Sequence, residues 1–183
     1  MRCFHCITKR RKASVDYSFS RGACYTFRMK VIQAPKDFEK EASLAKTVVF
    51  LAGSIEMGKA EHWQERFLSH FTEEDILFLN PRRDDWKPLP NRSAEDPDFR
   101  AQVEWEQKGL ARADIIALYF DPETESPISL LELGEYAKSG KITVCCPPGF
   151  WKKGNIDLLC QENQIPESET LEALVAEVKG RLG

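Results

Sequence analysis

The chain has 183 residues, of which 42% are apolar and 30% charged. That is enough to bury one compact core, with no apolar run near the ~20 residues of a membrane span. The net charge of -3 hides an uneven split: residues 1–30 hold eight Lys or Arg against one acid, 8 − 1 = +7, leaving 18 basic and 28 acidic residues, or -10, in the rest. An acidic body excludes a surface built to coat nucleic acid, because such binding rests on neutralising phosphates, and it points to a small-molecule partner.

The basic, acid-poor leader spans Arg2 to Lys30 and has Met29 near its end. Its composition is that of an organelle transit peptide, and a disordered extension fits equally well. We divide the chain into a basic extension over residues 1–40 and a domain over 41–183. The location is expected to be cytoplasmic unless the leader directs the chain to an organelle. Cys3 and Cys6 with His5 make half of a zinc pattern, and no second Cys/His pair follows at usable spacing, so no metal site is expected. Cys145 and Cys146 are adjacent at a strand end, which fits a reducing compartment better than a disulfide framework. No motif calls for a cofactor.

Thr47 to Ala52 is a continuous apolar run ending at Gly53-Ser54, the pattern of a buried parallel strand followed by a tight turn. Trp63, Phe67, Leu68 and Phe71 then recur at helical spacing, and Ile76 to Leu79 reads as a second short strand. A polar loop from Asn80 to Asp98 follows, long enough to suggest function. Asp98 is the expected N-cap of a helix through Phe99, Val103, Glu106 and Leu110, and Asp114 to Phe120 the third strand. Beyond a helix holding Glu132, a turn at Gly140-Lys141 leads to a fourth strand, Ile142 to Cys146, closed by Pro147-Pro148-Gly149. A short helix from Asn155 to Cys160, an edge strand at Gln164-Ile165 and a helix from Thr170 to Leu182 complete the chain. Alternation of this kind predicts a doubly wound α/β fold, a parallel sheet of about five strands with helices on both faces.

Candidate chemistry gathers where ligands bind in such sheets, outside the carboxyl ends of the strands. Glu132 is expected in the first turn of the helix there, where the helix dipole favours its ionised form. A fixed carboxylate in a crevice can attack carbon. The structural reading is a capping box, Ser129-x-x-Glu132, in which the glutamate only reaches back to a backbone N–H. Glu106 lies eight residues before Asp114, so its helix can bring it to face Glu132, and two carboxylates suffice to break a glycosidic bond through a covalent intermediate. Its structural reading is a solvated helix glutamate. In Asn80-Pro81-Arg82-Arg83-Asp84-Asp85-Trp86, the arginines can clamp an anion and Trp86 can stack on a planar base, although the two aspartates balance the charge. Gly53 and Ser54 offer turn N–H groups to a ligand, a weak phosphate signal.

Together these residues resemble the nucleoside 2-deoxyribosyltransferase family and its relatives, the deoxynucleoside 5'-monophosphate N-glycosidases. The resemblance spans about Val48 to Leu182 and rests on Phe50-Leu51-Ala52-Gly53-Ser54-Ile55, the Asn80 to Trp86 loop, Trp105-Glu106 with Ala113-Asp114, and Leu131-Glu132-Leu133-Gly134 with Tyr136-Ala137. It implies a flavodoxin-like sheet and double displacement at C1' of a deoxyribosyl group, with Glu132 as nucleophile. Glu106 stands where the family usually has an aspartate that exchanges a proton with the base. Ser126 falls near a base-contacting aspartate of the transferases, and Phe50 replaces a tyrosine whose hydroxyl orients the nucleophile. Asn155 matches a residue contributed by a neighbouring subunit, which implies a homo-oligomer with shared sites. The implied partners are a deoxynucleoside or deoxynucleotide and an acceptor base, with no nucleic acid and no membrane. A second reading is a nucleotide-binding module on the same fold that has lost catalysis, motivated by Phe50 and by Glu106 in place of aspartate.

Overall fold

The computed structural model describes residues 29–56, 59–72, 75–83 and 93–182. In chain order the described elements are β1 (Lys30–Gln33), α1 (Glu39–Leu44), β2 (Thr47–Gly53), α2 (Trp63–Leu68), β3 (Ile76–Asn80), α3 (Pro97–Arg112), β4 (Ile115–Tyr119), α4 (Pro127–Tyr136), β5 (Ile142–Cys145), α5 (Lys153–Asn163), β6 (Glu167–Ser168) and α6 (Leu171–Leu182). The six described strands form one parallel sheet in the order β1-β3-β2-β4-β5-β6. Without its first edge strand this is the flavodoxin-like order, so the fold is the doubly wound α/β one expected, with six strands rather than about five.

Two apolar layers follow from the alternation of side chains along each strand. Val48, Phe50 and Ala52 of β2 join Leu77, Leu79, Ile116, Leu118 and Val144 under α1, α3, α4 and α5. Val49 and Leu51 turn to the opposite face with Ile76, Phe78, Ile115 and Ala117, covered by α2 and α6. On that second face Trp63, Phe67, Phe71 and Phe78 form a chain of rings with centroids 5.0–6.3 Å apart. On the first face Gly109 lets α3 settle onto β2: a Cβ there would stand 2.7 Å from the Phe50 ring. Phe50 in turn packs against Trp105, which stacks edge-on with Phe38 and donates from Nε1 to the carbonyl of Lys36 at 2.7 Å.

Three expectations need correction. Lys30–Gln33 pairs with β3, so the sheet takes in residues assigned above to the extension, and residues 1–28 lie outside the described ones. β6 forms at Glu167–Ser168, three residues beyond the expected edge strand, because Gln164 adopts a left-handed conformation that ends α5. Asp96, not Asp98, caps α3: its carboxylate accepts from the N–H groups of Asp98 and Phe99, and Pro97 occupies the first turn.

The chain runs from β2 outward to β3 and then returns across the sheet to β4 on the other side of β2. That reversal makes the carboxyl ends of β2 and β4 the switch point, where open α/β sheets leave a crevice. No helix among the described residues is long and apolar enough to cross a membrane.

Candidate active site

A cleft of about 1100 Å³ opens at the switch point, lined by the end of β2, the segments after β3 and β4, and the facing sides of α3 and α4. Its floor is set by close contact between backbones. Gly53 has φ 129°, and a Cβ on it would lie 2.2 Å from the Tyr119 carbonyl oxygen, so only glycine fits. The next N–H, of Ser54, donates to that same oxygen at 2.9 Å. The Ser54 hydroxyl is buried among Ser126 Oγ (2.5 Å), Thr124 Oγ1 (3.0 Å) and the N–H of Asp121 (2.8 Å). Gly53 and Ser126 therefore line the cleft, whereas Ser54 is the knot that ties the β2 turn to the segment after β4.

α4 brings Glu132 to the cleft in its second turn, not its first. Pro127 starts the helix three residues earlier than the capping box requires, and Ser126, in a left-handed conformation with φ 47°, takes the cap position without a side-chain capping bond. The capping-box reading fails for that reason, and Glu132 is left without a structural job at the helix start. Burial, then the neighbouring charges of Glu106 and Glu135, push its pKa up to about 8. The expected ionisation by the helix dipole is thus outweighed by desolvation.

Glu106 lines the cleft from α3 and is not a solvated helix glutamate. Burial raises its pKa as well, and a hydrogen bond from Gln102 Nε2 to Oε1 at 2.8 Å acts in the opposite direction. The charge of Glu106 contributes through space to the raised pKa of Glu132.

The loop after β3 behaves differently from expectation. Asn80 is buried outside the cleft, its Oδ1 accepting the Arg82 N–H at 3.0 Å. Arg82 lines the cleft, yet its guanidinium is spent on protein groups: Nη1 donates to the carbonyl of Glu61 (2.7 Å) and to Gln64 Oε1 (3.3 Å), and Nη2 to the carbonyl of Ala60 (3.0 Å). It pins the β2–α2 connection to β3. Arg83 also lines the cleft, and Trp86 lies outside the described residues. Asn155 is exposed in the first turn of α5, away from this cleft. Phe50 is fully buried beneath α3.

Residue by residue, the structure gathers Gly53, Arg82, Arg83, Glu106, Ser126 and Glu132 around one cleft and leaves Ser54, Asn80 and Asn155 outside it. A family model described as "Nucleoside 2-deoxyribosyltransferase like" matches residues 46–150, more than half of the 183. The chain belongs to that nucleoside 2-deoxyribosyltransferase-like family. The match takes in the whole cleft, from Gly53 through Glu135, and ends before α5. Among solved structures, one described as a conserved protein from Enterococcus faecalis V583 is similar at 16% identity with a TM-score of 0.48, covering 75% of this chain and 99% of that one. No curated protein is similar enough to match.

Several cleft residues escape a sequence reading. Lys59 and His62 come from the β2–α2 connection, and Glu135 lies one turn beyond Glu132. Gln102 had a legible signal: it stands four residues before Glu106, the spacing that places two side chains together on a helix.

Proposed function

We propose that the chain breaks the N-glycosidic bond of a 2'-deoxynucleoside or deoxynucleoside 5'-monophosphate through a deoxyribosyl ester on Glu132. The observation that carries this reading is the approach of Glu132 and Glu106 from helices on either side of the switch point. Each reaches the same cleft, and the charge of one is felt by the other. Over the pH range in which the pair keeps a single proton, one carboxyl can attack while the other gives that proton away.

In the first step an ionised Glu132 oxygen bonds to C1' as the C1'–N bond breaks, and the bonding pair leaves on the base nitrogen. Glu106 supplies the proton that neutralises the departing base. In the second step water or a free base attacks C1', the ester pair returns to Glu132, and Glu106 takes the proton lost by the incoming group. Hydrolysis and transfer differ only in the acceptor. Lys59, His62 and Arg83 line the part of the cleft where a 5'-phosphate would meet basic side chains, while the Arg82 guanidinium donates to carbonyls. Asn155, exposed outside its own cleft, supports assembly into a homo-oligomer in which it completes a neighbour's site.

The test is incubation with a panel of deoxynucleosides and their monophosphates, with and without a free acceptor base, with chromatography for released or exchanged base. Release or exchange with at least one substrate, and labelling of Glu132 by a slow 2-fluoro sugar analogue, is the expected result. The second reading, a binding module without turnover, is favoured by two features: Phe50 puts no hydroxyl beneath the site, and burial raises the pKa of Glu132 and so disfavours its ionised form. Tight calorimetric binding of a deoxynucleotide with no base released would establish that reading instead.

A further inference from the structure

The amide of Gln102 is buried in α3 beside Glu106 with an unusual division of its hydrogen bonds. Nε2 donates twice, to the backbone carbonyl of Pro81 at 2.9 Å and to Glu106 Oε1 at 2.8 Å. Oε1 of the same amide, equally buried, has no partner among the described residues. Pro81 O is an acceptor in every protonation state, so it fixes the amide the way round that is observed. Turning the amide over would place its oxygen against the Pro81 carbonyl and against Glu106. A buried acceptor left unsatisfied costs stability, and a side chain needed only for packing would have been better served by an apolar group of the same shape.

We propose that Gln102 is a positioning residue for Glu106: locked by the Pro81 carbonyl, it holds Oε1 as a permanent acceptor and makes Oε2 the oxygen that carries the proton to and from the base. This rests on the reading of Glu106 as the proton-exchanging group. As the C1'–N bond breaks, the proton on Oε2 passes to the base nitrogen, which has received the bonding pair, and Glu106 is left ionised with Oε1 still held by Gln102. When water or a second base attacks, its proton returns to Oε2. The donated bond also opposes the desolvation of Glu106, so the proton stays exchangeable instead of being held too tightly. The other titratable groups that share the cleft are Glu132 and Glu135 on α4, Glu123 and Glu125 after β4, Arg82 and Arg83 after β3, and Glu56, Lys59 and His62 after β2. Of the causes that set the Glu106 pKa, burial raises it and the Gln102 hydrogen bond lowers it.

The experiment follows the carboxyl directly in the full-length protein without substrate. With glutamate labelled at the δ-carbon and Glu106 assigned by its loss in Glu106→Gln, the Gln102→Met variant, which keeps length and loses the donor, should raise the Glu106 midpoint by about one pH unit. In turnover, kcat should fall about ten-fold with KM nearly unchanged, a modest part of what a proton-transfer group contributes. A midpoint that stays in place in folded Gln102→Met overturns the proposal. A measurement on the wild type keeps the question open to refutation should that variant not fold: the Gln102 side-chain NH2 resonances should move through the Glu106 midpoint and lose that movement in Glu106→Gln. Resonances insensitive to pH overturn the proposal too. Both measurements are made on the free protein, so absence of base release would count against the proposed reaction and leave the coupling result standing.

Discussion

The two walls of the cleft treat charge in opposite ways. On the wall after β3, the Arg82 guanidinium is buried and answered by the carbonyls of Ala60 and Glu61 and by Gln64, so its charge is consumed in holding two loops together. On the facing sides of α3 and α4, Glu106 and Glu132 are pressed by burial, Glu132 also by the charge of Glu106, and a hydrogen bond from Gln102 offsets burial at Glu106. Satisfied charge holds a site open; unsatisfied charge is what a substrate can relieve. The walls were equally prominent in the sequence, and only their partners separate scaffold from chemistry.

The strongest way to break this comparison is Glu132→Gln. If Glu132 is the nucleophile, base release should fall by at least about 10³-fold and labelling by a 2-fluoro sugar should vanish, a loss of about 4 kcal/mol in transition-state stabilisation. The same variant should be no less stable than the wild type, and above neutral pH more so. The sign follows from the raised pKa. The folded state binds the Glu132 proton more tightly than the unfolded chain, so stability from this group is full below about 4.5 and is lost as pH rises toward about 8. Thermal denaturation at pH 5 and pH 9 should therefore show a gap in favour of Glu132→Gln that is small at the lower pH and about 1–2 kcal/mol at the higher one. A variant that turns over normally, or that is destabilised at pH 9, would place Glu132 among the scaffold residues.

Glu106→Gln should cost less, about 10²- to 10³-fold in kcat, because an acid is dispensable in proportion to how well the base leaves without it. Substrates whose bases are good leaving groups should lose least. Equal losses across leaving groups would assign Glu106 a role in binding instead of proton transfer.

For the opposite wall the expected effect is on stability. Arg82→Ala removes donors from two carbonyls and a buried glutamine, and should destabilise the fold by about 2–4 kcal/mol in chemical denaturation. Arg83→Ala should weaken the preference for a monophosphate over the nucleoside, read as a ratio of kcat/KM values. Reversed outcomes, with Arg82→Ala stable and altered in preference, would mean that a bound phosphate draws Arg82 away from its carbonyls.

How much of this was legible in the sequence depends on where the information lies. β2, β3, β4 and β5 are continuous apolar runs because both faces of each strand are covered, and such runs read directly. β1 sits at the sheet edge with Val31 exposed and Ile32 its one buried residue, and it follows a basic leader, so its four residues carry no such pattern. β6 consists of Glu167 and Ser168, held by backbone bonds between Val144 N–H and Pro166 O and between Cys146 N–H and Ser168 O, which no side-chain periodicity records. Glu132 and Glu106 were visible because a carboxylate near a strand end is itself a signal. The commitment of Arg82 was not, since its partners are carbonyls some twenty residues away, and every residue has a carbonyl. Asp114 belongs to the same lesson: the sequence marks it only as part of the family resemblance, whereas its carboxylate accepts the Val48 N–H at 2.8 Å and fixes the start of β2.

The finest discrimination comes from Glu135, exposed on α4 and the weakest of the influences on Glu132. Its charge opposes ionisation of the pair, so Glu135→Gln should move the pH profile of kcat/KM toward lower pH by a few tenths of a unit at low salt, with less effect at high salt, as expected for a solvent-screened charge. The maximum rate should stay within about two-fold, because Glu135 neither attacks carbon nor exchanges the proton in the proposed steps. A salt-sensitive shift of this kind would show that activity follows the protonation of the carboxylate wall. A profile unmoved by Glu135→Gln, but shifted by Arg83→Ala, would place the controlling ionisation on the substrate's phosphate and its cationic wall instead.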